Sequence, residues 1–369
     1  MTSGEPFSDQ DRIDWLRLSR TPRIGPVTFA QLIARFGSAS QALRELPSLR
    51  RNKSGTPQPP SLDQVEQEFE ATEKHGARII CSGEPAYPPL LAGLAPPPPI
   101  ITVLGDLDIA HRPAIAMVGA RDASAAGRKL ARDIAADLGA ANYVTVSGLA
   151  RGIDGEVHAA SLETGTIAVL GGGIDHIYPP QHDRLYAAIA AQGLIISESF
   201  FGYRAQARDF PRRNRIITGL ASGVVVVEAA ERSGSLISAR TAGEQGREVM
   251  AVPGSPLDPR AAGANRLLRD GAILVRNAED VIEALTAFGT GRLRAPPAPD
   301  FEFEDNHGDD LPPSQIAAVQ QALGPNPMPI DELARAAKIS AARCAAILME
   351  LELAGEATTL SGGLACKVY

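Results

Sequence analysis

In Ser147-Gly148-Leu149-Ala150-Arg151-Gly152, two glycines flank an arginine directly after the β-branched run Val144-Thr145-Val146. Glycine lets a backbone approach a ligand closely, and the amides that open a following helix meet an anion with a partly positive dipole. Ser147 and Gly148 are therefore candidates for an anion-holding turn, with Arg151 adding a full positive charge. The second candidate is the run from Phe200 to Leu220, FFGYRAQARDFPRRNRIITGL, where Arg204, Arg208, Arg212, Arg213 and Arg215 stand against a single carboxylate, Asp209. Phe200, Phe201, Tyr203 and Phe210 are interleaved with them. Arginine with aromatic rings is the composition that follows a phosphate backbone and stacks unpaired bases. Pro211 suits the first position of a helix, which would put several arginines in the opening turns, at the positive end of the dipole. Such a placement costs helix stability unless an anion offsets it. A salt-bridged surface with the rings in the core accounts for the same composition without a ligand.

Catalytic chemistry has less support in the residues. Val118-Gly119-Ala120-Arg121 follows a strand candidate, but an arginine stands where the dinucleotide fingerprint needs its second glycine. Gly171-Gly172-Gly173 is another candidate phosphate turn, without a clear helix cap behind it. The lysine-decarboxylase-like nucleotide-cleaving proteins carry P-G-G-x-G-T-x-x-E; the nearest stretch here, Arg232–Ser238, lacks the proline-led double glycine and a placed glutamate. The carboxylates of Asp154, Glu198 and Glu228 form no evident acid–base pair, and His158, His176 and His182 lack metal-ligand spacing. No catalytic residue, metal or cofactor is expected, and a Rossmann-type nucleotide-binding or nucleotide-cleaving enzyme stands as the alternative reading.

The 369 residues carry a formal net charge of −7 and 44% hydrophobic residues, ordinary for a globular chain of two or three domains. Any nucleic-acid contact must come from a local basic patch that the total conceals. Cys81, Cys344 and Cys366 are far apart, as in a reduced compartment. No run approaches the ~18 apolar residues of a membrane span and the N-terminus lacks a cationic start with an apolar core, so a cytoplasmic protein with no membrane partner is expected.

The elements that must position these residues begin with apolar positions at helical spacing over Asp11–Leu46, around the turn Pro22-Arg23-Ile24-Gly25-Pro26. This small module resembles a helix-hairpin-helix, whose turn offers amides to a DNA phosphate; a packing module that has lost the contact fits equally. A polar, proline-rich linker, Arg50–Ser61, follows. After a strand candidate at Ala77–Ile80 and a rigid connector containing Pro96–Pro99, strand candidates recur at 115–118, 143–146, 166–170, 194–196, 224–227, 249–252 and 273–275. Helical patterns separate them; Leu130, Ile134 and Leu138 share one helix face. Near-continuous β-branched runs such as Val224–Val227 need cover on both faces, which predicts a doubly wound, mostly parallel α/β sheet. Ligands then bind outside the carboxyl ends of the strands, where the glycines and charged residues fall. Gly289–Pro313, with Glu302, Glu304, Asp305, Asp309 and Asp310, reads as an acidic tether. Three helices and a hairpin at 314–369 predict a winged helix, with Arg343 the sole base on its third helix and Glu350 and Glu352 further along, a poor composition for reading DNA. The expected domains are thus 1–70, 71–288, a linker at 289–313, and 314–369.

The motifs as a set resemble the DNA-processing protein A family (DprA, also called Smf) over nearly the whole chain. They are VGAR at 118–121, SGLARGID at 147–154, AVLGGGIDHIYP at 168–179, Ser197-Glu198, FPRRNRIITGL at 210–220, SGSLISA at 233–239 and AVPG at 251–254. The resemblance implies an extended Rossmann fold with a helical N-terminal module and a winged-helix C-terminal domain. It implies a non-catalytic homodimer that binds incoming single-stranded DNA and helps load the RecA recombinase in natural transformation. Carried over by position, Gly119 and Arg121 of VGAR and Arg151 of SGLARGID match DNA-contacting positions, and Ser147-Gly148 match the anion-holding turn. The family often has lysine after Tyr-Pro. Here Pro180 follows Tyr178-Pro179, and Arg184, one turn on, is the candidate substitute.

Overall fold

The computed structural model describes residues 7–47, 58–290, 312–360 and 363–368. Most of the linker expected after Arg50 and most of the acidic tether, including its clustered carboxylates, lie outside them. The chain opens with α1 (Asp9–Ser19), α2 (Pro26–Phe36) and α3 (Ala39–Glu45). Ser8 and Asp11 form a reciprocal capping box at the start of α1, and Gly25-Pro26 starts α2. Trp15 packs on Phe29 with ring centroids 5.0 Å apart, beside the fully buried Leu16, Leu18 and Leu32.

Helix α4 (Leu62–Lys74) leads into β1 (Arg78–Cys81), the short α5 (Pro89–Ala92) and β2 (Ile100–Gly105). Helix α4 spans the expected boundary at 70/71. The alternation follows as β3 (Ala114–Val118), α6 (Ala125–Ala140), β4 (Val144–Ser147), α7 (Ile153–Ala160), β5 (Thr166–Leu170), α8 (Asp183–Gln192) and β6 (Leu194–Ser197). It continues with α9 (Asp209–Gly219), β7 (Gly223–Val226), α10 (Gly234–Glu244), β8 (Glu248–Ala251), α11 (Ala262–Arg269), β9 (Ile273–Leu274) and α12 (Ala278–Thr290). The strand order is β1-β2-β6-β5-β4-β3-β7-β8-β9; β2 pairs antiparallel with both β1 and β6, and the remaining pairs are parallel. This is the doubly wound, mostly parallel α/β sheet expected from the periodicity.

Both sheet faces are covered, which is why the strands read as continuous apolar runs. Val224 and Val226 of β7 face a core shared with Ile216 and Ile217 of α9 and Ala239 of α10. Val225 and Val227 face the other core, with Ile134 and Leu138 of α6 and Val281 of α12. The chain runs outward from β3 through β4, β5 and β6, then returns by α9 to β7 on the other flank of β3. The carboxyl ends of β3, β4 and β7 therefore meet at a topological switch point, the usual ligand position in such sheets.

The C-terminal segment forms α13 (Pro313–Ala322), β10 (Met328–Pro329), α14 (Ile330–Ala337), α15 (Ala341–Ala354), β11 (Ala357–Leu360) and β12 (Leu364–Lys367). It closes around Val319, Leu333, Cys344, Ile347 and Leu348 as a winged helix domain. The chain divides into two compact units, 68–94 with 100–293 and 1–67 with 95–99 and 294–369, so the two ends, expected as separate domains, share one unit. Among the described residues no helix is long and apolar enough to cross a membrane.

Candidate nucleic-acid interface

The turn after β4 already holds an anion of its own. The amides of Gly148 and Ala150 donate to one carboxylate oxygen of Asp154, at 3.1 and 3.3 Å, from the first turn of α7. Ser147 is fully buried and its hydroxyl donates to the Met117 carbonyl of β3 at 2.7 Å. The donors that the sequence offers to a ligand anion at Ser147 and Gly148 thus bond within the chain. Burial pushes the Asp154 carboxyl up, while the Arg213 guanidinium and the two amides favour its charged form.

Arg213 lies beneath this turn with 6% exposure. Its Nη1 donates to the Gly148 carbonyl at 2.7 Å and also to that of Val169, tying the ends of β4 and β5 together. A Cβ at Gly148 would lie 2.5 Å from Nη2 of Arg213, so the close approach that needs glycine here is to a side chain of the same protein. Burial lowers the guanidinium to about 10, still charged at neutral pH. Arg213, expected on DNA, is thus a buried structural cation. Leu149 sits in the left-handed region with φ 54°. Its amide donates to Nε2 of the fully buried His158 at 3.3 Å, so the other nitrogen, 2.8 Å from the Thr166 hydroxyl, carries the proton. Burial pushes His158 down to about 3, and it is neutral.

The exposed face of the turn presents different groups. Gly152 has φ 77°, and a Cβ there would lie 2.2 Å from the Ala120 carbonyl. Only glycine lets the two strand-end turns stack, and Ile153 donates its amide to Ala120 at 3.2 Å across the junction. Gly119 packs against Ile153 and is a spacing residue. The stacking brings Arg121 and Arg151, both exposed, to one rim. The Arg121 guanidinium lies 5.3 Å from the centroid of Phe210, which also faces Arg213 at 5.9 Å and Tyr178 at 5.5 Å.

Helix α9 begins at Asp209, two residues before the expected Pro211, because the Asp209 carboxylate collects the Tyr203 hydroxyl at 2.8 Å and the Gln206 amide at 2.7 Å. Pro211 still falls in the first turn, where its missing N–H removes no helical bond. Arg204, Arg208 and Arg212 are exposed. Arg215 is half-buried in an ion pair with Glu198, and Arg212 approaches the same carboxylate at 3.7 Å. Tyr178 and Phe200 are the exposed rings, at 47% and 45%. In the sequence Tyr178 is marked only by the proline that follows it. Arg184 on α8 is exposed.

Two other candidate phosphate turns are also filled from within. At the start of α6 the Glu228 carboxylate accepts the Ser124 amide at 2.9 Å and its hydroxyl at 2.5 Å. Gly173 donates its amide to the Tyr203 carbonyl at 2.8 Å, while the hydroxyls of Ser197 and Ser199 donate to the carbonyls of Gly172 and Gly171. Among the described residues no group of three or more His, Cys, Asp or Glu could hold a metal. Beside these bonded turns the exposed groups are Arg121, Arg151, Arg204, Arg208 and Arg212 and the rings of Tyr178 and Phe200. Asp154 and Glu228 appeared in the sequence only as scattered carboxylates, although the six-residue spacing of Gly148 and Asp154 was a readable local signal.

Family models match in chain order: a DprA-like N-terminal HHH domain at 9–71, DNA recombination-mediator protein A at 78–286, and a DprA winged helix domain at 308–363. The chain is 40% identical to Protein Smf of Escherichia coli over 294 residues, 79% of this chain and 78% of that one. DNA processing protein A of Streptococcus pneumoniae superposes with a TM-score of 0.63 at 30% identity, over 76% of this chain and 98% of that one. The protein of the same name from Helicobacter pylori, whose structure addresses its single-stranded DNA binding mode, gives a TM-score of 0.51 at 28% identity over 55% and 93%. With the match continuous through the sheet and its switch point, the chain belongs to the DNA recombination-mediator protein A family.

Proposed function

We propose that this protein binds single-stranded DNA across the carboxyl-end rim of its sheet and acts as a recombination mediator. In this role it protects incoming strands and helps load RecA during natural transformation, without catalysing a reaction on the nucleic acid. The observation that carries the reading is that Arg121 and exposed Tyr178 both pack on Phe210, while Arg151, Arg204, Arg208, Arg212 and Phe200 are exposed on the strand-end segments. The arginines neutralise phosphates, and the rings offer faces to bases that a duplex keeps stacked. The binding mode described for the Helicobacter pylori relative supports the ligand class. RecA loading and a homodimer rest on the family resemblance. The alternative, a nucleotide-binding or nucleotide-cleaving enzyme, would draw on amides at the strand-end turns, of which those of Gly148, Ala150, Ser124 and Gly173 are bonded within the chain.

The test is competition on one labelled oligonucleotide. Unlabelled single strand is expected to displace it at lower concentration than duplex of equal length at matched salt, with nucleotides left intact. Equal displacement by duplex would reduce the surface to an electrostatic one, and nucleotide turnover lost on Asp154→Asn substitution would favour the enzyme. The RecA part is measured separately, as faster onset of RecA's strand-dependent ATP hydrolysis when this protein is added.

A further inference from the structure

The hairpin of the N-terminal module and the third helix of the winged helix domain are both DNA-reading devices elsewhere. Within their shared unit they meet each other. Arg23, at the hairpin tip with φ 67°, donates from Nη1 to the Leu353 carbonyl at 3.1 Å. That carbonyl belongs to the last turn of α15, where acceptors lack intrahelical partners and the dipole favours a cation. Gly355, which ends α15 in the left-handed region with φ 78°, lies so close that a Cβ there would be 3.0 Å from the Arg23 guanidinium carbon. Thr28 of α2 is fully buried and donates its hydroxyl to Glu352 at 2.5 Å. The same Glu352 carboxylate accepts the Thr359 hydroxyl at 2.7 Å and its amide at 3.3 Å. One carboxylate thus joins α2, α15 and β11 through charge-assisted bonds.

We propose that the N-terminal hairpin is a docking site for this chain's own C-terminal domain, so that the two ends act as one body and the hairpin makes no DNA contact. The composition of α15 fits this use. Its solitary Arg343 is poor for phosphates, whereas Glu352 near its C-terminal end is the residue that Thr28 recognises. The inference stands apart from the single-strand reading, because it concerns the other unit.

A specific protease site placed between Gly291 and Leu311 of the full chain, cut after folding, tests it. On size exclusion at micromolar concentration the C-terminal piece is expected to co-elute with the remainder. Arg23→Glu, which sets a negative charge against the α15 carboxyl end, and Glu352→Lys should each lower the retained fraction at least fivefold. Arg23→Lys, which still donates to a carbonyl, should retain it, which separates loss of docking from loss of folding. Separation of the unsubstituted pieces overturns the proposal, as does retention in both charge variants. Duplex and single-strand affinities of uncut Arg23→Glu protein should stay within twofold of the parent; a weaker complex with a flatter salt dependence would place the hairpin on phosphate and overturn it too.

Discussion

Helices α9 and α15 each carry an arginine in the opening turns, exposed Arg212 and half-buried Arg343, yet they put charge to opposite uses. On α9, Arg212 remains in solvent and Arg215 is held by Glu198, while Arg213, between the two in sequence, is buried under the Gly148 turn. The buried cation organises the backbone that displays Arg151 on the outside. On α15 the apolar side chains Cys344, Ile347, Leu348 and Leu351 fill the domain core, and the functional charge is the carboxylate of Glu352, turned toward Thr28. The strand-end rim keeps exposed cations outside and bonds its inner donors to its own carboxylates. A helix that meets a protein surface needs one oriented acceptor and little net charge.

The largest effect expected from breaking this contrast comes from Arg213. Replacing it by methionine strands the buried Asp154 carboxylate and two backbone carbonyls, at a cost of about 3–5 kcal/mol. Denaturant unfolding should recover part of that loss in the Arg213→Met/Asp154→Asn double variant, and a loss below ~1 kcal/mol would mean Arg213 is not structural. Next is acid. His158 is at about 3 when folded against 6.5 as a free side chain. The unfolded chain therefore binds the extra proton between these values, and the stability this neutral histidine contributes is lost as pH falls below 6.5. By about pH 5 the loss should reach roughly 2 kcal/mol. The buried Asp154 works in the opposite direction, so His158→Gln is the needed comparison; it should flatten the acid limb of unfolding, measured between neutral pH and about pH 5.

The rim cations come third. Arg121→Ala with Arg151→Ala should weaken single-strand binding about tenfold, ~1.4 kcal/mol, and flatten the slope of log affinity against log salt by roughly 1.4. An unchanged slope in folded protein would remove both residues from phosphate. The smallest effect is expected at Arg343→Glu on α15, a change in single-strand affinity below about twofold, ~0.4 kcal/mol, read by the same titration. A tenfold loss there would give the winged helix a share of the DNA and erase the contrast between the helices.

Residue pattern was enough to read the sheet and the strand-end rim proposed for the ligand. Alternate residues of Val224–Val227 face two different cores, and only cover on both sides makes such a run stable. The glycines that let the turns after β3 and β4 stack were legible as motifs, and so was the rim position of Arg121 and Arg151. The tertiary structure alone decided which donors are free. Neighbouring residues on a helix point about 100° apart, so Arg212 and Arg213 look alike in sequence, and only the packing of α9 over β4 and β5 sends one inside. Asp154 reaches the Gly148 amide from six residues away, but Glu228 reaches Ser124 across 104 and Glu352 reaches Thr28 across 324. Local periodicity records which face of an element is apolar. It carries no record of which distant carboxylate will arrive at a helix end or a hairpin, because that depends on the order in which the strands are laid into the sheet and on how the two chain ends pack together.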